Sequence, residues 1–398
     1  MIDGSLVSWR WVLSALFVAV AYAPPDTVAL DFGKVPVHGF LTQGAIYTSD
    51  NNFFGESDDG ISLDYTEIGL NSRVQLFPDL SVAGQILFRR AGSQSEKELT
   101  IDHAFLDYQF LDDFPQRAYL SAGRVKLPYG LFNETRDVAF TRPSILMPQP
   151  VYFDRTRRLA VSGDGLMARY EYDLPTSTAY LNVAGFMPNA DEELRRAVGV
   201  PISDGPNAEP SLVGRLMYET ADGRFRLGFT HASLNLSFDT GPQDFLAGGD
   251  LKFNFNVVSV QYNAERWSFT SEYTYRKVSF SKFGPLLPNF EFRGEGLYVQ
   301  GDYRFSHNWL GFVRVEALYP DRGDHSTGGR SAVGKPSRFA YQEAYIMGVR
   351  WDLSPNWMLA AEFHNVRGVA ALPAADNRDI EQTDERWNIL ALQLSYRF

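Results

Sequence analysis

Hydrophobic and polar positions alternate with a period of two along most of the chain, and the last nine residues show it best. In Leu390-Ala-Leu-Gln-Leu-Ser-Tyr-Arg-Phe398, Leu390, Leu392, Leu394, Tyr396 and Phe398 share one face, while Ala391, Gln393, Ser395 and Arg397 share the other. Side chains of a strand point to opposite faces in turn, so this segment predicts a ribbon with one apolar and one polar side. Other segments repeat the design. Leu80, Val82, Gly84, Ile86 and Phe88 oppose Ser81, Gln85 and Arg89; Trp309, Gly311, Val313, Val315 and Ala317 oppose Arg314 and Glu316. Tyr345, Met347, Val349, Trp351 and Leu353 oppose Gln342, Arg350 and Asp352; Trp357, Leu359, Ala361 and Phe363 oppose Glu362 and His364.

The connections carry a second regularity. Tight turns rich in Pro, Gly, Asn and Asp fall at 77–79, 112–116, 174–177, 220–223, 263–265, 306–308 and 354–356. Longer polar segments alternate with them at about 49–60, 91–98, 126–159, 188–209, 237–250, 281–290, 320–338 and 368–384. Seven short turns interleaved with eight long loops join sixteen strands. Putting every long loop at one end suits an up-and-down barrel that crosses a membrane, with short periplasmic turns and long outer loops. A soluble sandwich or propeller has no reason to sort its loops so, and no blade-length repeat is present. Trp267, Trp309 and Trp357 follow tight turns, while Tyr262, Phe305 and Trp351 precede them. Such rings settle at the headgroup level and predict a girdle at the turn end. The predicted fold class is all-β: a 16-stranded antiparallel transmembrane β-barrel.

Composition agrees without deciding. Mean hydropathy is only −0.23, because in such a barrel only every second residue faces lipid. Phe and Tyr number 30 and 20, and Cys is absent, which removes disulfides, thiolate metal sites and a Cys nucleophile. A net charge of −11 argues against a nucleic-acid partner. At the N-terminus Arg10 precedes a mostly apolar run, and Ala19, Ala21 and Ala23 offer small residues for cleavage. Residues 1–23 therefore read as an export signal peptide, with cleavage after Ala21 favoured over a site before Pro24. Residues 24–398 form the barrel domain. That first run is too short to span a bilayer as a helix, and no later one approaches the required length.

Sixteen strands leave an aqueous channel where eight would be filled by their own side chains. The polar faces carry Arg73, Arg89, Arg169, Arg215, Arg276, Arg304, Arg314, Arg350 and Arg397 against Asp107, Glu171, Glu219, Glu272, Asp302, Glu316 and Glu362. Charges in such number are too costly to bury dry and unpaired, so a wetted lumen wall is expected. The segment 126–159, the third outer loop, is outsized. Pro128, Pro143, Pro148 and Pro150 rule out a continuous helix. Its many apolar residues, Leu131, Phe132, Phe140, Ile145, Leu146, Met147, Val151, Tyr152 and Phe153 among them, do not suit a loop in open water.

With sixteen strands, a long third loop and a terminal Phe, the chain resembles the general and substrate-selective porins of the Gram-negative outer membrane. Gly123-Arg-Val-Lys-Leu-Pro-Tyr-Gly-Leu-Phe132 is similar to the passage from strand to loop in porins of the phosphate-selective group. The architectural resemblance covers nearly the whole mature chain; the sequence resemblance covers that passage and the last strand. It implies that 126–159 folds into the barrel as a constriction. It also implies a homotrimer that faces outer-membrane lipids and lipopolysaccharide, and a C-terminal signal (Leu394, Tyr396 and Phe398) for the barrel assembly machinery. On that reading Lys126, Arg136, Arg142, Arg155, Arg157 and Arg158 meet the solute with Glu134, Asp137 and Asp154, a balance of 6 − 3 = +3 that favours small polar anions. The alternative is that these cations pair with wall carboxylates and pin the loop. The lysine cluster of phosphate-selective porins is missing.

A search for catalytic chemistry returns little. The chain has no H-E-x-x-H and no G-x-S-x-G, and the remaining ligand spacing of a calcium loop is missing around Asp58-Asp59-Gly60. Asp102 and His103 are neighbours on a predicted strand, which should aim them at opposite faces and prevent a base–orienter hydrogen bond. No enzyme activity, metal or cofactor is expected. A structural or adhesive barrel is the other alternative to a pore.

Overall fold

A computed structural model describes residues 30–31, 35–93, 95, 98–155, 157–190, 194, 202, 205–323 and 336–398. The segment 1–23, read as an export signal, lies outside the described residues. Sixteen strands form one closed sheet: β1 (Pro36–Thr48), β2 (Ser62–Phe77), β3 (Leu80–Ala91), β4 (Glu98–Asp113), β5 (Gln116–Lys126), β6 (Ser162–Leu174), β7 (Ser177–Pro188) and β8 (Pro206–Thr220) make the first half. The second half is β9 (Phe225–Phe238), β10 (Gly249–Asn263), β11 (Trp267–Ser281), β12 (Phe290–Arg304), β13 (Trp309–Tyr319), β14 (Gln342–Asp352), β15 (Trp357–Gly368) and β16 (Arg386–Arg397). Every neighbour pair is antiparallel, and β16 pairs with β1 from Ile389↔Thr48 to Arg397↔Phe40. Beyond that register Phe398 N donates to Gly39 O at 3.0 Å and Gly39 N donates to Phe398 O at 3.2 Å. Closure leaves no unpaired edge among these strands. A two-residue strand, Leu30–Asp31, pairs with the start of β1.

The alternation sets the two surfaces. On β16, Leu390 and Leu392 are exposed while Ala391, Gln393 and Ser395 are fully buried. The outer face continues through Leu359 and Phe363 on β15, Tyr345 and Met347 on β14, and Val313 and Val315 on β13. A sleeve of exposed aliphatic and aromatic side chains on a closed barrel is a surface for hydrocarbon. At the turn end the rings meet across strands: Tyr262 and Trp267 at 5.3 Å, Trp309 and Trp351 at 5.0 Å, and Trp357 and Tyr396 at 4.7 Å between centroids. This is the predicted girdle.

Three local departures have physical causes. First, Asp102 is an extra residue opposite Gln85 and Ile86, a β-bulge in β4. A bulge breaks the two-residue alternation. Both Asp102 and His103 thus turn inward, and His103 Nδ1 lies 3.1 Å from Asp102 Oδ2. The expectation that these neighbours could not bond is corrected. Second, β8 begins at Pro206, earlier than its polar sequence suggests. Pro210, which lacks an N–H, is absorbed where the register with β9 shifts, and Asn235 Nδ2 caps its carbonyl at 2.7 Å. Third, the outer ends of β9–β12 invert the pattern. Ala232, Leu234, Leu236, Phe238, Leu251, Phe253, Phe255, Val278, Phe280, Phe290 and Phe292 point inward, while Ser233, Asn235, Lys252, Asn254, Lys277 and Glu291 point outward. A wall that is polar outside and apolar inside stands above the lipid, in water.

Two glycines narrow the wall where the third loop departs. Gly123 holds φ at +129°, a conformation L side chains rarely adopt, and faces Gly165 across β5 and β6. A Cβ on Gly165 would sit 2.2 Å from Gly185 O and 2.7 Å from Phe186 Cα. Gly165→Ala must therefore push β7 away, at about 1–3 kcal/mol for overpacking. A lower temperature for the heat-induced gel shift of the folded barrel is the expected outcome; an unshifted transition would show that β7 yields freely.

Candidate pore constriction

The third loop cannot run as a helix through four prolines, and it condenses instead into two 3₁₀ turns, Asn133–Thr135 and Ala139–Thr141, and a short helix, Arg157–Val161. Its apolar residues are buried against the inner wall in two groups. Leu127, Tyr129, Met147, Val151, Tyr152 and Leu159 join the lining of β6–β12, while Ile145 and Leu146 join Ile46, Phe54, Tyr65, Phe312 and Ile346 on the other side. Burial of this kind stabilises by about 1.5–3 kcal/mol per large side chain.

Polar contacts fix the loop at points spread around the barrel. Glu134 pairs with Arg215 of β8 at 2.6 Å. Glu272 of β11, fully buried, accepts hydrogen bonds from Leu131 N at 3.0 Å, Tyr152 Oη at 2.6 Å, Tyr298 Oη at 2.7 Å and Ser259 Oγ at 2.6 Å. Arg314 of β13 donates to Leu146 O at 3.0 Å and pairs with Glu316 at 2.7 Å. Arg350 of β14 donates to Phe140 O and Arg142 O at 3.1 and 3.2 Å. Glu362 of β15 accepts from Ile145 N and, at 3.3 Å, from Leu146 N, with His364 Nε2 2.9 Å away. Phe140 also lies under the guanidinium of Arg397, 4.4 Å from the ring centroid.

Towards β2–β4 the loop's charges meet wall carboxylates. Lys126 Nζ lies 2.7 Å from Asp102 and 2.8 Å from Asp137, and Arg157 also pairs with Asp137. Arg89 bridges Glu67 at 3.1 Å and Asp154 at 2.8 Å, and Arg136 stands 3.8 Å from Asp154. Arg142 donates to Ser144 O at 2.9 Å and to Tyr65 Oη at 3.4 Å. Arg89, Arg136, Arg142 and Arg157 thus line one cleft with Glu67, Asp137 and Asp154, a balance of 4 − 3 = +1. Arg155 and Arg158 are half-buried in the second part of the loop, away from that cleft.

The wall charges divide by height. Near the turn end Asp107 is shared by Arg73 and Arg169, each at 2.7 Å, and by Ser121 at 2.7 Å; the Arg73 side chain is 55% exposed, so water reaches it. Under the loop the wetted wall that was expected gives way to burial: Arg314 is fully shielded and Glu272 is at 0%. Ion pairs and hydrogen bonds compensate these charges. Arg276 stacks over Phe153 at 4.8 Å. Sequence reasoning missed Glu67, Asp102 and Tyr65 as parts of the site. Asp64 and Thr66 are polar on the opposite face of β2, which hides Glu67, and the bulge hides Asp102.

No protein-family model and no curated protein sequence matches this chain. Solved structures do. The outer membrane channel DcaP of Acinetobacter baumannii aligns over 92% of this chain and 97% of its own, with 16% identity and a TM-score of 0.56. An anion-selective porin from Comamonas acidovorans aligns over 92% and 99%, with 10% identity and a TM-score of 0.55. The trimer form of OmpT, an outer membrane protein of Vibrio cholerae, aligns over 92% and 99%, with 10% identity and a TM-score of 0.52. At these identities the likeness is one of fold: a closed barrel of sixteen antiparallel strands.

Proposed function

We propose that this chain, which has the fold of the outer-membrane porins, is a passive diffusion channel in the outer membrane of a Gram-negative bacterium. The observation that carries the reading is a closed barrel with an apolar sleeve outside and an Arg- and Asp-lined wall inside, crossed by the loop 126–159. No step of this mechanism consumes energy or needs a cofactor; a gradient drives small polar solutes past the constriction. The outer face meets membrane lipids and lipopolysaccharide, three copies associate, and Leu394, Tyr396 and Phe398 present the strand that the assembly machinery reads. The two non-porin alternatives, an enzyme and a structural or adhesive barrel, would carry no ion current. Purified protein in a planar bilayer should give stepwise, ohmic openings in KCl, and their absence would reject the channel.

Anions are preferred, but weakly. The loop alone carries +3, yet Lys126, Arg136 and Arg157 lie against carboxylates, so a mobile ion meets a field closer to the +1 of the cleft. Replacing Arg136, Arg142, Arg155, Arg157 and Arg158 with Gln should move the reversal potential in a salt gradient toward cations. An unmoved potential would remove these residues from selectivity.

A further inference from the structure

The inverted wall at the outer ends of β9–β12 is more than a place for loops to pack. Its rings form a ladder: Phe280 and Phe290 stack at 4.4 Å and 10°, Phe290 and Phe292 at 6.4 Å and 23°, and Phe253 and Phe255 at 6.1 Å and 7°. The ladder continues to the constriction loop, where Phe153 lies 6.4 Å from Phe255. Leu246 and Leu287 pack against this wall, yet Phe253, Phe280, Phe290 and Phe292 remain only partly buried. Half-exposed apolar rings inside a lumen are a surface held open to solutes.

A cation stands at the foot of the ladder. In register, Phe280 pairs with Phe290, Val278 with Phe292, and Arg276 with Gly294 one step deeper. A Cβ on Gly294 would come within 2.6 Å of Arg276 Nε, so the glycine gives the guanidinium its room. Arg276 stands over Phe153, its Nε has no hydrogen-bond partner, and no carboxylate pairs with it among the described residues. Arg89, Arg136, Arg142 and Arg157 of the constriction each have a carboxylate or carbonyl within reach, whereas Arg276 offers its donor fork to the lumen.

We infer that this collar captures small aromatic carboxylates, the ring lying on the phenylalanine ladder and the carboxylate on Arg276, before they pass the constriction. A planar guanidinium fork matches a carboxylate in two parallel hydrogen bonds. Flanking rings add offset stacking, which an aliphatic acid of the same charge lacks. The inference rests on the channel reading and names the solute class that the channel would favour.

Benzoate is the probe, with acetate (charge without ring) and benzyl alcohol (ring without charge) as comparisons. Calorimetric titration of the full chain in detergent should show benzoate binding at least about tenfold tighter than either comparison, as two cooperating contacts require. Arg276→Gln should bring benzoate to the level of acetate, Arg276→Lys should retain part of the gain, and Phe292→Leu should weaken benzoate but not acetate. Benzoate binding no tighter than acetate in the native protein overturns the inference, and that comparison stands even if a variant fails to fold. So does an Arg276→Gln barrel, folded by its gel shift, with undiminished benzoate affinity. Current in KCl separates the two readings: openings without benzoate discrimination reject the capture site alone, while benzoate binding without openings rejects the channel alone.

Discussion

A barrel carrying Glu272→Ala and Glu362→Ala together should pass more current per opening than the native protein, with visible flicker between sublevels. The two carboxylates hold the loop from different walls. Glu272 takes Leu131 N and Tyr152 Oη from it, and Glu362 takes Ile145 N and Leu146 N. Hydrogen bonds to a charged partner contribute about 1.5–3 kcal/mol each, so the pair of substitutions removes several kcal/mol of anchoring. Buried donors left without acceptors would draw water in and favour a displaced loop. The apolar contacts of Leu127, Val151 and Leu159 persist, so the barrel itself should still close. Single-channel recording is the measurement. Unchanged conductance and noise would mean that apolar packing alone sets the constriction.

Deleting Phe398 should cut the amount of folded protein in the outer-membrane fraction by roughly tenfold, because it removes two backbone hydrogen bonds at the closing seam, together about 1–3 kcal/mol. Phe398 bonds Gly39 in both directions, and its ring sits 6.2 Å from Tyr396 in the girdle. Phe398→Tyr, which keeps both backbone bonds and the ring, should assemble nearly as well. Equal loss in the two variants would place the effect outside the seam.

Much of this fold is legible in the sequence because lipid imposes a simple rule on each strand. The faces of β16 and β15 follow strict alternation, and the seven tight turns fall where Pro, Asn, Asp and Gly cluster. What escapes that reading has a physical reason each time. Asp102 and His103 share a face because one extra residue shifts the register. Pro210 is tolerated in β8 because a bulge removes the need for its missing N–H. The collar of β9–β12 was hidden because alternation alone does not say which face looks inward; Lys252 and Phe253 alternate as well as Leu390 and Ala391 do, with the opposite sense. The charges of the loop could be counted, but not the wall carboxylates they would meet, since Lys126 and Asp102 or Arg215 and Glu134 are brought together only by the closed sheet.

The attachment of one loop to β8, β11, β13, β14 and β15, and to β2–β4 on the far side, has a mechanical consequence. A thin-walled cylinder under lateral bilayer pressure is most compliant to flattening into an ellipse, and a cross-brace tied to opposing walls resists that deformation. Lys126, Glu134 and Arg142 then serve as fasteners. Variants that widen the passage by releasing them should yield a softer cylinder, so stiffness and throughput in this protein trade against each other.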